Sequence, residues 1–274
     1  MIPLEDLYTD VIAKAQRGLG LSDEALASQA GVDSSDVAAA KDGEVDEAIL
    51  EKIAPPLKLD GPALVTMAQK AWTPEPIKLA ELAQFNTPYH DMTVNAYVVW
   101  DPASKQAIAF DTGASAEPMV EFIKQNDLDL RAIFLTHTHG DHVADLDRLR
   151  QATGEPPVYS HAREPWPNTQ EFEIGEASRW EVGPLHIEAR STWGHSKGGV
   201  TYVIDGASSP VAVVGDALFA SSMGGGGVSY ADALATNRKE IFTLPSQTVI
   251  CPGHGPLTTV GEEKAHNPFY PEFK

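Results

Sequence analysis

The sequence predicts an α/β sandwich of mixed sheets behind a small all-α N-terminal domain. Three observations predict it. From about residue 80 the chain alternates short apolar strand patterns with amphipathic helices. Some neighbouring strands are joined by hairpin turns, which rules against a purely parallel, doubly wound sheet. The first 72 residues carry apolar side chains at helical spacing and no β-branched alternation.

The elements follow in order. "LEDLYTDVIAKAQRGLG" and "SDEALASQAG" read as helices, the second opened by Ser22 as N-cap with Glu24 and Ala25 in its first turn. Asp60-Gly61-Pro62 starts another through "ALVTMAQKAW". We place a helical domain at 1–72, a linker containing "TPEPIKL" at 73–84 and the α/β domain at 85–274. There "TVNAYVVW" and "QAIAFD" form a hairpin around residues 101–104, "AEPMVEFIKQN" an amphipathic helix, and "RAIFLT" a buried strand. "HVADLDRLRQAT" reads as the helix after it. Strands follow at "LHIEAR", "VTYVID", "VAVVGD" and "QTVICP", with a helix near "YADALATNRKEIF".

Composition narrows the function. The net charge of −19 disfavours nucleic acid and anionic membrane as partners, since both need clustered Lys and Arg. The single cysteine, Cys251, ends an apolar strand and reads as core packing. The N-terminal stretch has no signal-peptide pattern and no window reaches membrane-spanning length, so a cytoplasmic location is expected.

The stretch "LTHTHGDH" crowds three histidines and an aspartate into six positions. Imidazole is costly to bury unpaired, so the cluster needs a reason. His137 and His139 can converge where the strand gives way to a loop, and Asp141 and His142 then point to a neighbouring spot. Neither pair completes a metal site. The missing groups lie on loops after other strands: His195 in "STWGHSKGG", Asp216 in "VAVVGDALF" and His254 in "VICPGHGP". His137, His139 and His195 then form one site, Asp141, His142 and His254 the other, and Asp216 bridges.

The ordered motifs "THTHGDH", "GHSKGG", "GDALF" and "PGHGP" resemble the metallo-β-lactamase-fold hydrolases over about two thirds of the chain. The final "PGHGPLTTVGEEKAHNPF" is similar to the glyoxalase II-like, or hydroxyacylglutathione hydrolase-like, branch. The resemblance implies an αββα metallo-β-lactamase sandwich with two divalent ions at the sheet edges, zinc first and iron or manganese as alternatives. It also implies S-D-lactoylglutathione as substrate. Asp111 in "FDTG" matches a family position that orients the metal loop.

G-x-S-x-G is absent, so the nucleophile is water activated by the metals, with Asp141 and Asp216 as the catalytic carboxylates. A thiolate leaves without a dedicated acid, whereas an amide nitrogen needs one, which favours a thioester or lactone over a β-lactam; a small-molecule acyl thioester is the first choice. Tyr89, His90 and Lys197 are candidate substrate contacts. The sequence departs from the family at "ASSMGGGGVSY", whose four glycines suggest a mobile loop, at Trp193, and in lacking a long C-terminal helical region for glutathione. Rival readings are a mononuclear iron persulfide dioxygenase using His137, His139 and His195, and a lactonase.

"GLSDEALASQAGVDSSDVAAAKDGE" resembles a phage-repressor-like helix-turn-helix, which would make a DNA-binding regulator. Its recognition helix, however, carries Asp36 and Asp42 against Lys41, and residues 1–72 hold 13 acids and 6 bases. DNA binding is not expected. The bundle is expected to pack on the hydrolase as a homodimer surface or as a wall of the site.

Overall fold

A computed structural model describes residues 2–176 and 178–274. Five helices come first: α1 (Tyr8–Leu19), α2 (Asp23–Ala30), α3 (Ser34–Lys41), α4 (Glu47–Ile53) and α5 (Gly61–Ala68). Ser22 caps α2 by accepting from Ala25 N at 3.2 Å, and Asp60 caps α5 by accepting from Ala63 N at 2.8 Å. A strand missed in the sequence, β1 (Leu82–Tyr89), begins inside the expected linker and pairs antiparallel along its length with β2 (Met92–Trp100). Pro88 masked it; β1 is an edge strand, where a missing N–H is tolerated.

Next come β3 (Gln106–Phe110), α6 (Glu117–Gln125) and β4 (Asp129–Phe134). The helix expected after the histidine cluster is two pieces, α7 (Gly140–Val143) and α8 (Leu146–Ala152). The break falls at Asp145, whose carboxylate accepts from Ala116 N at 2.9 Å and so ties α8 to the start of α6. Then follow β5 (Val158–His161), β6 (Gln170–Phe172), β7 (Arg179–Val182), β8 (Leu185–Ser191), β9 (Val200–Asp205) and β10 (Val211–Gly215). The chain closes with α9 (Tyr230–Glu240), β11 (Val249–Pro252), β12 (Thr258–Thr259) and α10 (Val260–His266).

The strands form two six-stranded sheets, ordered β1-β2-β3-β4-β5-β6 and β12-β11-β10-β9-β8-β7. Both are mixed: β3, β4, β5 and β6 run parallel, as do β10 and β11, while the other pairs are antiparallel. Strand periodicity sorts the side chains into layers. Tyr97, Val99, Phe110 and Phe134 of the first sheet meet Tyr202, Ile204, Val213 and Cys251 of the second. Val98, Ala109 and Ile133 face outward to α6 and α8. Val203, Ala212, Val214 and Ile250 face the other way, into one continuous core with α1–α5 and α9.

The result is an αββα sandwich whose second outer layer includes the N-terminal helices. No helix among the described residues is long and apolar enough to cross a membrane.

Candidate metal centre

The turns after β4, β8, β10 and β11 bring the motif residues to one edge of the sandwich. His137, Asp216 and His254 follow β4, β10 and β11, which are buried to their last residues, whereas His195 follows β8, whose last two residues are half-buried. Two groups of ligating atoms result: His137, His139, His195 and Asp216; and Asp141, His142 and His254. His137 Nε2 and His195 Nε2 each lie 3.0 Å from His139 Nδ1, near the ~3.3 Å that tetrahedral ligation at ~2.0–2.1 Å requires. His254 Nε2 is 3.3 Å from Asp141 Oδ2, and His142 Nε2 is 3.6 Å from the same oxygen. Asp216 stands between the groups, 3.3 Å from His195 Nε2 through Oδ2 and 3.3 Å from His142 Nε2 through Oδ1.

The surrounding hydrogen bonds orient the rings. His142 Nδ1 donates to Asp111 Oδ2 at 2.8 Å, His195 Nδ1 to the Gly225 carbonyl at 2.9 Å, and His254 Nδ1 to the Thr93 carbonyl at 2.7 Å. Thr136 Oγ1 donates to Asp111 Oδ2 at 2.7 Å and lies 3.1 Å from His137 Nδ1. Four imidazoles are thereby set to present Nε2 to the cage. Asp111 adopts a positive φ of 56° to make these contacts.

The donor set fits a pair of cations. His142 Nε2 and Asp216 Oδ1 are buried 3.3 Å apart with no hydrogen bond to any other group, so only their mutual charge, or a cation between the ligand groups, offsets their burial. On the other side two bare Nε2 atoms face a single His139 Nδ1, whose proton could serve only one of them. The electrostatics agree. Burial opposes charge on His142, but Asp111 and Asp216 outweigh it and raise its pKa to about 10. Burial likewise opposes charge on His254, which Asp216 and Asp141 raise to about 11. Burial alone would raise Asp216, yet His142 and His254 hold it well below the usual carboxylate range. A field that draws protons onto imidazoles in this way also draws divalent cations, which would displace those protons. His137 is pushed the other way by burial and by His142, and is neutral.

The remaining sequence candidates fall as follows. Tyr89 lies at the rim: a Cβ on Gly140, beside His139, would sit 2.9 Å from its hydroxyl. His90 packs on the Tyr89 ring and is exposed, as is Lys197. His266 stacks on Trp72, His186 is exposed, and His161 accepts from Arg163 N, so none of these joins the cage. Cys251 is fully buried between the sheets, and burial pushes its thiol up, so it is no nucleophile.

Two of the four glycines after Asp216 are packed. A Cβ on Gly224 would lie 1.9 Å from the Asp216 carbonyl oxygen, and one on Gly226 would lie 2.4 Å from the Tyr230 Cα. Close approach accounts for these glycines.

Sequence reasoning missed two carboxylates. Glu164 is buried; its Oε2 accepts from Thr138 N at 3.2 Å and Thr138 Oγ1 at 2.7 Å, and its Oε1 from Gly198 N at 2.9 Å. It ties the His137–His139 loop to the His195 loop. Glu5 reaches the opposite rim, its backbone N 3.2 Å from where a Gly255 Cβ would lie. Burial raises its pKa, with His254 opposing and Asp6 and Asp216 adding. Neither residue sits in a motif.

Fold and site define a class, the αββα metallo-hydrolases. The metallo-beta-lactamase superfamily profile matches residues 91–254, and the chain belongs to that superfamily. A probable metallo-hydrolase of Streptococcus pyogenes serotype M6 is 33% identical over 199 residues, 64% of this chain and 84% of that protein. The hydroxyacylglutathione hydrolase GloC of Haemophilus influenzae is 28% identical over 203 residues, 64% of this chain and 92% of its own. Among solved structures, the BLEG-1 B3 metallo-beta-lactamase superposes with a TM-score of 0.58 at 31% identity, covering 68% of this chain and 99% of that one. TTHA1623 in a di-iron-bound form gives 0.55 at 27%, covering 68% and 99%. The N-terminal helices precede the profile match.

Proposed function

We propose that this chain hydrolyses an acyl thioester, with water as the nucleophile, at a dinuclear metal centre. His137, His139 and His195 would hold one ion, Asp141, His142 and His254 the other, and Asp216 would bridge. The observation that carries the reading is the meeting of two ligand groups at Asp216, which stands 3.3 Å from His195 Nε2 on one side and 3.3 Å from His142 Nε2 on the other. Ions held by these residues would supply Lewis acidity, lowering the pKa of a water to about 7 and stabilising charge on a carbonyl oxygen.

The chain's residues supply the rest. Asp111 sets His142, and through Thr136 also His137, so that both present Nε2. The carbonyls of Gly225 and Thr93 do the same for His195 and His254. Tyr89 shapes the entrance above Gly140. Asp141 and Asp216 are both held in the ionised form, so neither stands ready to protonate a leaving group. That suits a thiolate, whose conjugate acid has a pKa near ~8.5, better than an amide nitrogen.

The likeness to hydroxyacylglutathione hydrolase GloC supports a hydroxyacyl thioester such as S-D-lactoylglutathione. A mononuclear iron dioxygenase would leave Asp141, His142 and His254 without a task, so the complete second group weighs against it. The test is a substrate panel of thioesters, lactones and β-lactams on metal-loaded protein. Thioesters should be turned over fastest; cleavage confined to lactones or β-lactams contradicts the proposal.

A further inference from the structure

Helix α1 is docked on the loop that follows Asp216. Lys14 Nζ donates to the Met223 carbonyl at 2.8 Å and pairs with Asp6, whose carboxylate also accepts from the Ser222 hydroxyl. One turn further, a Cβ on Gly18 would fall 2.2 Å from the Tyr230 ring. These two contacts fix the rotation of α1 about its axis. Arg17, between them, faces the glycine loop: a Cβ on Gly225 would lie 4.0 Å from Arg17 Nη2 and near nothing else. The Gly225 carbonyl in turn holds His195 Nδ1. Arg17 and His139 are exposed, and Gly225 and His195 half-exposed, so the guanidinium stands on the open side of the cage.

Its charge is uncommitted. Six of the eight arginines pair with a carboxylate, whereas Arg17 makes no ion pair among the described residues. The chain carries 39 acids against 20 Lys and Arg, so a free guanidinium here had many partners to choose from. The opposite rim, beside His254, is flanked by the Glu5 carboxyl. Arg17 thus places a cationic group beside the His195 loop, while the Glu5 carboxyl lies within electrostatic reach of both His254 and Lys14.

We infer that Arg17 anchors a substrate carboxylate, so that the N-terminal helical unit supplies a specificity determinant and the substrate is an anionic acyl thioester. The inference rests on the thioesterase reading above. A guanidinium grips a carboxylate through two parallel N–H bonds, which the neutral ester of the same compound cannot match. The anionic end would lie beside the Gly225–His195 contact.

The test uses full-length, metal-loaded protein and two substrates, S-acetyl-3-mercaptopropanoate and its methyl ester. Arg17→Ala should raise KM for the anion about tenfold with kcat within about twofold, and leave the methyl ester unchanged; Arg17→Lys should recover part of the loss. Where the wild type turns both substrates over, an equal effect on both, or on neither, overturns the anchor. Calorimetry with the uncleavable thioether 3-(methylthio)propanoate reads the same contact without turnover. Binding should weaken about tenfold in Arg17→Ala; equal affinity in both proteins, or binding to neither, overturns the anchor. If the wild type binds the thioether through Arg17 yet cleaves neither thioester, the anchor stands and the thioesterase reading fails.

Discussion

The Asp111 carboxylate and the His142 imidazole are joined at 2.8 Å, both buried, with His142 Nε2 left facing Asp216. This pair decides which nitrogen of His142 meets the cage. Asp111→Asn keeps the size and tolerates the positive φ, but it exchanges one acceptor oxygen for an NH2 and removes the charge. Affinity for the second metal should fall about 10–100-fold. Competition against a chromophoric chelator measures it, and unchanged affinity would reject the orienting role.

Glu164 should matter through geometry alone. It touches no ligand atom, yet it fastens Thr138, between His137 and His139, to Gly198, three residues past His195. Glu164→Ala strands these donors and should cost about 1–3 kcal/mol of stability. Metal affinity on the three-histidine side should drop with it, while Glu164→Gln, which keeps one acceptor oxygen, loses less. Equal losses in both variants, read by denaturation and metal titration, would count against this account.

Glu263 gives a pH signature remote from the metals. Burial raises its carboxyl from 4.5 to about 7, opposed by donors from Asn267, Thr258 and Ser221. The folded state thus favours the protonated form. The stability it contributes is fully present below pH 4.5 and is lost as pH rises through about 7. Two and a half pKa units correspond to at most about 3 kcal/mol. Glu263→Gln mimics the protonated form, so its stability relative to wild type should improve by about 2–3 kcal/mol between pH 4.5 and pH 8. Urea unfolding at both pH values measures the difference; a gap that does not change with pH rules the shift out.

The Lys14–Asp6 pair tests the docking of α1. Both side chains are largely buried, at 15% and 9% exposure. Lys14→Met leaves Asp6 with only the Ser222 hydroxyl and should destabilise by about 3–5 kcal/mol, whereas Lys14→Met with Asp6→Leu should recover part of that. Thermal unfolding of the two variants decides it. If the single variant is as stable as wild type, α1 is not held by this contact.

The cage was legible because its residues follow apolar strands. His137, Asp216 and His254 stand just past β4, β10 and β11, so alternation and burial in the sequence located them. The supporting groups were not legible. Glu164 lies 34 positions from Gly198, and Lys14 lies 209 from Met223; no local pattern marks contacts made only by tertiary packing. β1 was hidden by Pro88 and by half-buried polar residues suited to an edge. The break before α8 depends on Asp145 reaching Ala116, again a distant partner. Nor does sequence alone reveal what presses on Gly224 and Gly226.

The central claim is that His137, His139, His195, Asp141, His142, His254 and Asp216 hold two metal ions, and elemental analysis of the protein purified without chelator tests it most directly. Two divalent ions per chain are predicted, falling towards one in Asp216→Asn, where the shared carboxylate is lost. A content at or below one ion per chain in the wild type, after reconstitution with excess zinc, manganese or iron, would contradict it.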